Sequence, residues 1–126
     1  MITVLIPSDK EFKKYKSQIR KIYSTNQSKI KDPNSFDFIL KNTLFYAFFL
    51  DGSFIGAIYY FKEKEKLYLN GFATSKHHLE NLYCLKLSTT WFKKPIYAEA
   101  QNKASSLCLL RCGFKRVDGN IFILQR

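Results

Sequence analysis

His77 and His78 stand side by side, immediately before an apolar run at helical spacing: Leu79, Leu82, Tyr83, Leu87 and Trp91. An imidazole at a helix N-terminus can donate to a phosphate, act as a general base or join a metal site; it can equally cap the helix or face solvent. Adjacent side chains point in different directions, so the pair is a poor chelate and no metal is expected. Cys84, Cys108 and Cys112 contain no Cys-x-x-Cys pair. Cys108 and Cys112 are four apart and share a helix face, but two thiols need two further ligands to hold zinc. All three read as small buried hydrophobes of a reducing compartment. The densest cluster of signals is residues 102–114, Asn-Lys-Ala-Ser-Ser-Leu-Cys-Leu-Leu-Arg-Cys-Gly-Phe, entered from an apolar strand at 96–100.

The elements that position these residues follow from periodicity and punctuation. Residues 2–6 form a short apolar strand ended by Pro7. Ser8 with Glu11 three residues on reads as a capping box, opening an amphipathic helix at 9–23 on Phe12, Tyr15, Ile19 and Ile22. The opposite face of that helix carries Lys10, Lys13, Lys14, Arg20 and Lys21. After a polar loop at 26–31, Asp32 as cap and Pro33 in the first turn open a second helix to about Lys41. Strands at 43–50 and 53–61 flank Asp51-Gly52, a two-residue hairpin signal. Both are almost continuously apolar, so the sheet is expected to be covered on both faces. Gly56 inside the second strand marks a bulge or a close backbone approach. A charged turn at 62–66, a strand at 67–73, a helix at 79–92 and the strand at 96–100 follow. The last helix, 103–112, is capped by Gly113. Residues 114–117 and 121–124 then close the chain as a hairpin, with 121–124 a candidate sheet edge.

Length and composition set the frame. At 126 residues the chain makes one domain, 1–126, and 46% hydrophobic with 17% aromatic residues argues against disorder. No apolar run approaches the ~20 residues of a bilayer span, and the N-terminus lacks a signal-like leader, so a soluble cytoplasmic protein is expected. The net charge of +11 favours anionic partners. It is spread along the chain, and 17 of its 21 cations are Lys rather than the Arg that forks onto phosphates and base edges. Rich Lys, Ile, Asn, Phe and Tyr usage fits AT-rich coding, as in a low-GC bacterium or its phages.

The order β-α-α-β-β-β-α-β-α-β-β, an α/β (α+β) mixed sheet with helices on both faces, resembles the GNAT N-acyltransferase superfamily over essentially the whole chain. The resemblance implies a strand at 67–73 that ends at a coenzyme A site, with Phe72, Ala73, Thr74, His77, His78 and Asn81 around it and Asn102 beside the coenzyme arm. His77 stands where the family carries Gln or Arg. Glu80 and Leu82 stand where it carries two small residues, and no glycine lies between Phe72 and Lys94. Leu109 occupies the place of the family's proton-donating Tyr. Glu99 is the implied base, acting through water, or else a surface acid. Tyr97 or Tyr83 is a replacement acid, or else packs in the core.

Three functions follow as expectations. The first is an acyl-CoA-dependent N-acyltransferase, acetyl-CoA or another acyl-CoA being the co-substrate, moving the acyl group directly to an amine. The second is a GNAT-like protein without catalysis that binds nucleic acid or a protein partner. The third is a phage-type GNAT-like modifier of nucleic-acid bases. A homodimer through an edge strand is compatible with each.

Overall fold

The computed structural model describes residues 1–74 and 76–125 and has the element order read from the sequence. The strands are β1 (Ile2–Leu5), β2 (Thr43–Leu50), β3 (Ser53–Lys62), β4 (Leu67–Ala73), β5 (Ile96–Glu99), β6 (Lys115–Asp118) and β7 (Ile121–Leu124). The helices are α1 (Phe12–Asn26), α2 (Phe36–Asn42), α3 (His78–Thr89) and α4 (Lys103–Arg111). The strands form one sheet in the order β1-β2-β3-β4-β5-β7-β6, antiparallel except for the β4–β5 pair. No described helix is long and apolar enough to cross a membrane.

Alternation along β3 sorts side chains to two cores. Phe54, Ala57 and Tyr59 join an aromatic layer under α1 and α2, with Phe12, Tyr23, Phe45 and Phe72. Ile55, Ile58 and Tyr60 face the opposite way, with Cys84, Ile96, Leu109 and Phe122. The sheet is thus covered on both faces over its centre, where a nearly unbroken apolar strand places it. The parity of β3 changes after Ile55. Phe48 pairs with Gly56 and Phe49 with Phe54, so Ile55 is the extra residue of a bulge. Gly56 also marks a close approach: a Cβ there would lie 2.3 Å from Asn81 Oδ1 and 3.1 Å from the Phe72 carbonyl.

Three local expectations are corrected. Ser8 does not cap α1, which starts at Phe12 with no side-chain cap. Asp9 instead accepts the Ile6 N–H at 2.8 Å and its carbonyl takes the Phe12 N–H, so residues 8–11 form a separate turn. Nor does Asp32 cap α2. Ser35 does so, accepting from Phe38 N–H at 3.1 Å, while Asp32 is buried elsewhere. Finally, β7 is not an edge strand: it lies between β5 and β6, and the edges are β1 and β6. Every β6 residue is exposed, and its Lys115, Arg116 and Asp118 are the charges that keep an open edge from pairing.

At its C-terminus α4 behaves as read. Gly113 takes a φ of +91°, and the Phe114 N–H reaches the Leu109 carbonyl at 3.0 Å, closing the helix in a left-handed cap.

Candidate functional site

β4 pairs with β3 up to Ala73, but with β5 only from Leu67↔Ile96 to Leu69↔Ala98. From Asn70 onward the two parallel strands part. A cleft of about 370 Å³ occupies the gap. One wall is the start of α3, with His78, Asn81, Leu82 and Leu85; a second is α4, with Asn102, Ser105, Cys108 and Leu109. The third comes from the end of α1 and the loop after it, with Asn26, Lys29 and Ile30.

Most of the residues singled out from sequence meet here. Ala73, Thr74, His78, Asn81, Glu99 and Asn102 all line the cleft, and so does Phe72, whose ring packs on Tyr23 at 5.3 Å between centroids. Several of these polar groups are already engaged. Thr74 N–H and Oγ1 both donate to the Ile55 carbonyl, at 3.0 and 3.2 Å. Asn81 Nδ2 donates to the same carbonyl at 3.2 Å and to His77 O at 2.9 Å, which fastens the first turn of α3 to the β3 bulge. Asn102 Oδ1 accepts the Ser105 N–H at 2.8 Å, and Ser105 Oγ accepts the Asn102 N–H at 3.1 Å: a reciprocal capping box for α4. His78 and Glu99 are exposed and make no side-chain bond among those described.

Two site candidates lie outside the cleft wall. His77 is the N-cap residue of α3 with no side-chain capping bond, and its Nδ1 is 3.8 Å from Glu80 Oε1. Tyr97 alternates with the core residues Ile96 and Ala98 and turns to the opposite face. There it lies 5.8 Å from the Tyr68 ring, with Lys66 Nζ 4.7 Å over its own centroid. Tyr83 is exposed, and Leu109 is buried at the cleft. Cys84 and Cys112 are buried as read, but Cys108 is exposed at the cleft, because α4 turns that face toward the opening. Among the described residues no three His, Cys, Asp or Glu side chains are grouped so as to hold a metal ion.

The sequence reading missed Asn26, Lys29 and Ile30, and a buried polar network behind them. Asp32 is 5% exposed. Its Oδ1 accepts from Asn34 N–H at 2.9 Å and Asn34 Nδ2 at 2.8 Å; its Oδ2 accepts from Tyr59 OH at 2.5 Å and Asn70 Nδ2 at 3.4 Å. A buried carboxylate without a cation is tolerable only when its lone pairs are filled in this way. Burial, then the neighbouring Asp32 carboxylate, pushes the Tyr23 hydroxyl up to about 12, and burial raises Tyr59 further. Asn70 carries the network to the cleft, its Oδ1 accepting the Gly71 N–H at 2.8 Å. The signal was in the sequence: Asp-Pro-Asn is an Asx-turn motif, in which the Asp accepts from the backbone two residues on.

No family model and no curated protein matches the sequence. Solved structures match along nearly all of it. A probable acetyltransferase from Staphylococcus epidermidis superposes with a TM-score of 0.68 at 12% identity, over 98% of each chain. An acetyltransferase of the GNAT family from Streptococcus pneumoniae gives 0.61 at 9% identity, over 98% of this chain and 96% of its own. The PaiA N-acetyltransferase from Thermoplasma acidophilum, in complex with coenzyme A, gives 0.55 at 17% identity, over 98% and 96%. The fold is therefore that of the GNAT acetyltransferases, as the order of elements implied.

Proposed function

We propose that this chain is an acyl-CoA-dependent N-acyltransferase that passes an acyl group directly to an amine. One observation carries the reading: the parting of β4 and β5 after Leu69↔Ala98, which opens a cleft between two helix starts in a fold shared with a coenzyme A-bound acetyltransferase. Acyl-CoA would supply the activated thioester. The open edge of β4 from Asn70 to Ala73 and the apolar walls given by Leu82, Leu85 and Leu109 suit an extended, mostly apolar arm.

The phosphate end fits less generously. The first-turn N–H groups of α3 have no side-chain cap and favour an anion. Glu80 stands in that same first turn, its Oε1 3.8 Å from His77 Nδ1, and a carboxylate there opposes an anion. Side chains rather than glycine backbone face an anion there, and His78, the first residue of α3, lines the cleft as one donor. Toward the acceptor, Glu99 is the carboxylate available to take the amine's proton, directly or through one water. Leu109 cannot protonate a leaving group, so departure as a thiolate is left to that group's own stability. The walls contribute chiefly position and exclusion of water.

Calorimetric titration with acetyl-CoA, and with free coenzyme A for comparison, at low and moderate salt, tests the reading. Micromolar, stoichiometric binding that persists at moderate salt is expected. Heat that vanishes with salt, or none, overturns it and leaves a GNAT fold serving another purpose.

A further inference from the structure

The cationic side chains of α1 have no role in the cleft, and their placement is unusual. Between Phe12 and Asn26 the sequence has five cations, Lys13, Lys14, Lys16, Arg20 and Lys21, and no acid. A surface helix is ordinarily laced with carboxylates three or four residues from its lysines. With Phe12, Ile19 and Tyr23 buried, the 100° turn per residue puts Lys14 and Lys21 on the outer face and Lys13 on its flank. Lys16 and Arg20 lie at the margin toward α2, where Arg20 sits 5.1 Å over the Phe36 ring. Lys10 extends the face from the preceding turn. Neighbouring acids neutralise only part of it: Lys14 meets Glu11 at 3.3 Å and Arg20 meets Asp37 at 2.9 Å. Lys10, Lys13, Lys16 and Lys21 have no carboxylate within ion-pair distance among the described residues. All four are exposed.

From this we propose that the outer face of α1 is a docking surface for the phosphate backbone of a double-helical nucleic acid. The spacing suits it: Lys13 to Lys21 spans about 12 Å of helix, which at one phosphate per ~3.4 Å of duplex axis on each strand is three or four phosphates for α1 lying along the duplex. The chemistry suits it too. Lysines on flexible stems contact phosphates as point charges without reading bases. No large apolar side chain of α1 is exposed, so a single strand finds no stacking platform on this face. The helix ends at Asn26, a cleft residue, so a bound duplex lies alongside the cleft mouth. This surface is independent of the acyl-transfer reading, since none of its lysines lines the cleft.

The test is fluorescence anisotropy with a labelled 24-base-pair DNA duplex, the matching RNA duplex and the single strand, between 50 and 200 mM salt. Four phosphate contacts predict a slope of log K against log salt near −3.6 for the DNA duplex, about a 150-fold loss over that range. The reversal Lys10→Glu, Lys13→Glu, Lys21→Glu should weaken duplex binding at 50 mM about ten-fold or more relative to a control of equal charge change, Lys62→Glu, Lys64→Glu, Lys93→Glu. Gln at the same three α1 positions should make the slope shallower by about 2.7. These positions are exposed, and Gln is a good helix former, so folding should be unaffected. Equal losses in the α1 and control variants would show that net charge, not this face, does the binding. That outcome overturns the proposal, as does tighter binding to the single strand or no binding at 50 mM. The two duplexes tell whether a B-form or an A-form backbone is preferred.

Discussion

Gly56→Ala is the smallest change that should disturb both the fold and the cleft. The added Cβ would sit 2.3 Å from Asn81 Oδ1, 3.1 Å from the Phe72 carbonyl and 3.3 Å from the Ala73 Cβ. The first contact is impossible, so Asn81 must swing away and give up its bonds to Ile55 O and His77 O. Overpacking of this kind costs about 1–3 kcal/mol, and each lost bond about 1 kcal/mol. Ala also restricts the unfolded chain, returning about 0.4–1 kcal/mol. The net loss should be about 2–4 kcal/mol, roughly 10 °C in melting temperature for a chain of this size. Asn81→Ala alone should cost less, about 1–2 kcal/mol, because the Ile55 carbonyl keeps Thr74 and the His77 carbonyl keeps the Asn81 backbone N–H. With Asn81 truncated, the worst clash disappears. The double variant should therefore be about 2 kcal/mol more stable than the sum of the single effects predicts. Urea unfolding of the four proteins measures that coupling. Additivity within about 0.5 kcal/mol would refute the idea that Gly56 exists to seat Asn81, whatever the protein's activity.

Alkaline pH should unfold the chain in stages. Burial raises the Cys84 and Cys112 thiols to about 11, and Tyr23 stands at about 12. The folded state then holds protons that the unfolded state releases above pH 9 and 10, so stability is intact below pH 9 and falls as pH rises through 11. Each thiol should account for roughly 2–3 kcal/mol of that fall, and a urea midpoint that stays level from pH 7 to 10.5 would contradict it. At pH 8 those two thiols are only about one part in a thousand thiolate, so iodoacetamide should label Cys108 alone in the folded protein. Mass spectrometry showing Cys84 or Cys112 modified first would overturn that placement. Asn102→Asp should keep the α4 cap, and Asn102→Ala should cost about 1 kcal/mol in thermal or urea unfolding. If the Asn102 amide donates to a ligand, both should weaken acetyl-CoA binding roughly ten-fold; unchanged affinity in Asn102→Asp would confine the residue to capping.

The order of elements was legible because each one announces itself locally. Asp51-Gly52 sits between two apolar strands and becomes a turn with φ of 48° and 86°, as a tight hairpin requires. Gly113 ends α4 through backbone geometry that glycine tolerates best. What failed were inferences that needed a partner far away in sequence. Ser8 and Glu11 have the spacing of a capping box, but the chain leaves β1 too tightly for a helix to begin there. Asp32 precedes a proline as helix caps do, yet Tyr59 and Asn70, 27 and 38 residues on, draw its carboxylate into the interior. The place of β7 between β5 and β6 depends on sheet order, which no local pattern encodes.

The site was less legible than the fold for a further reason: residue type shows what a side chain can bond, not what it has already bonded. Thr74, Asn81, Asn102 and Ser105 all border the cleft and all look suited to a ligand. The bulge at Ile55 leaves a carbonyl that takes up Thr74 and Asn81, and the start of α4 takes up Asn102 and Ser105. Those four groups hold the walls in place. Lys29, His78, Glu99 and Cys108 also line the cleft, and no side-chain bond engages them among those described. Substituting the first four should change stability as well as any binding. Substituting the second four should change binding with little effect on stability, because exposed groups without partners contribute little to the fold. That division separates the framework of the cleft from the residues free to meet a ligand.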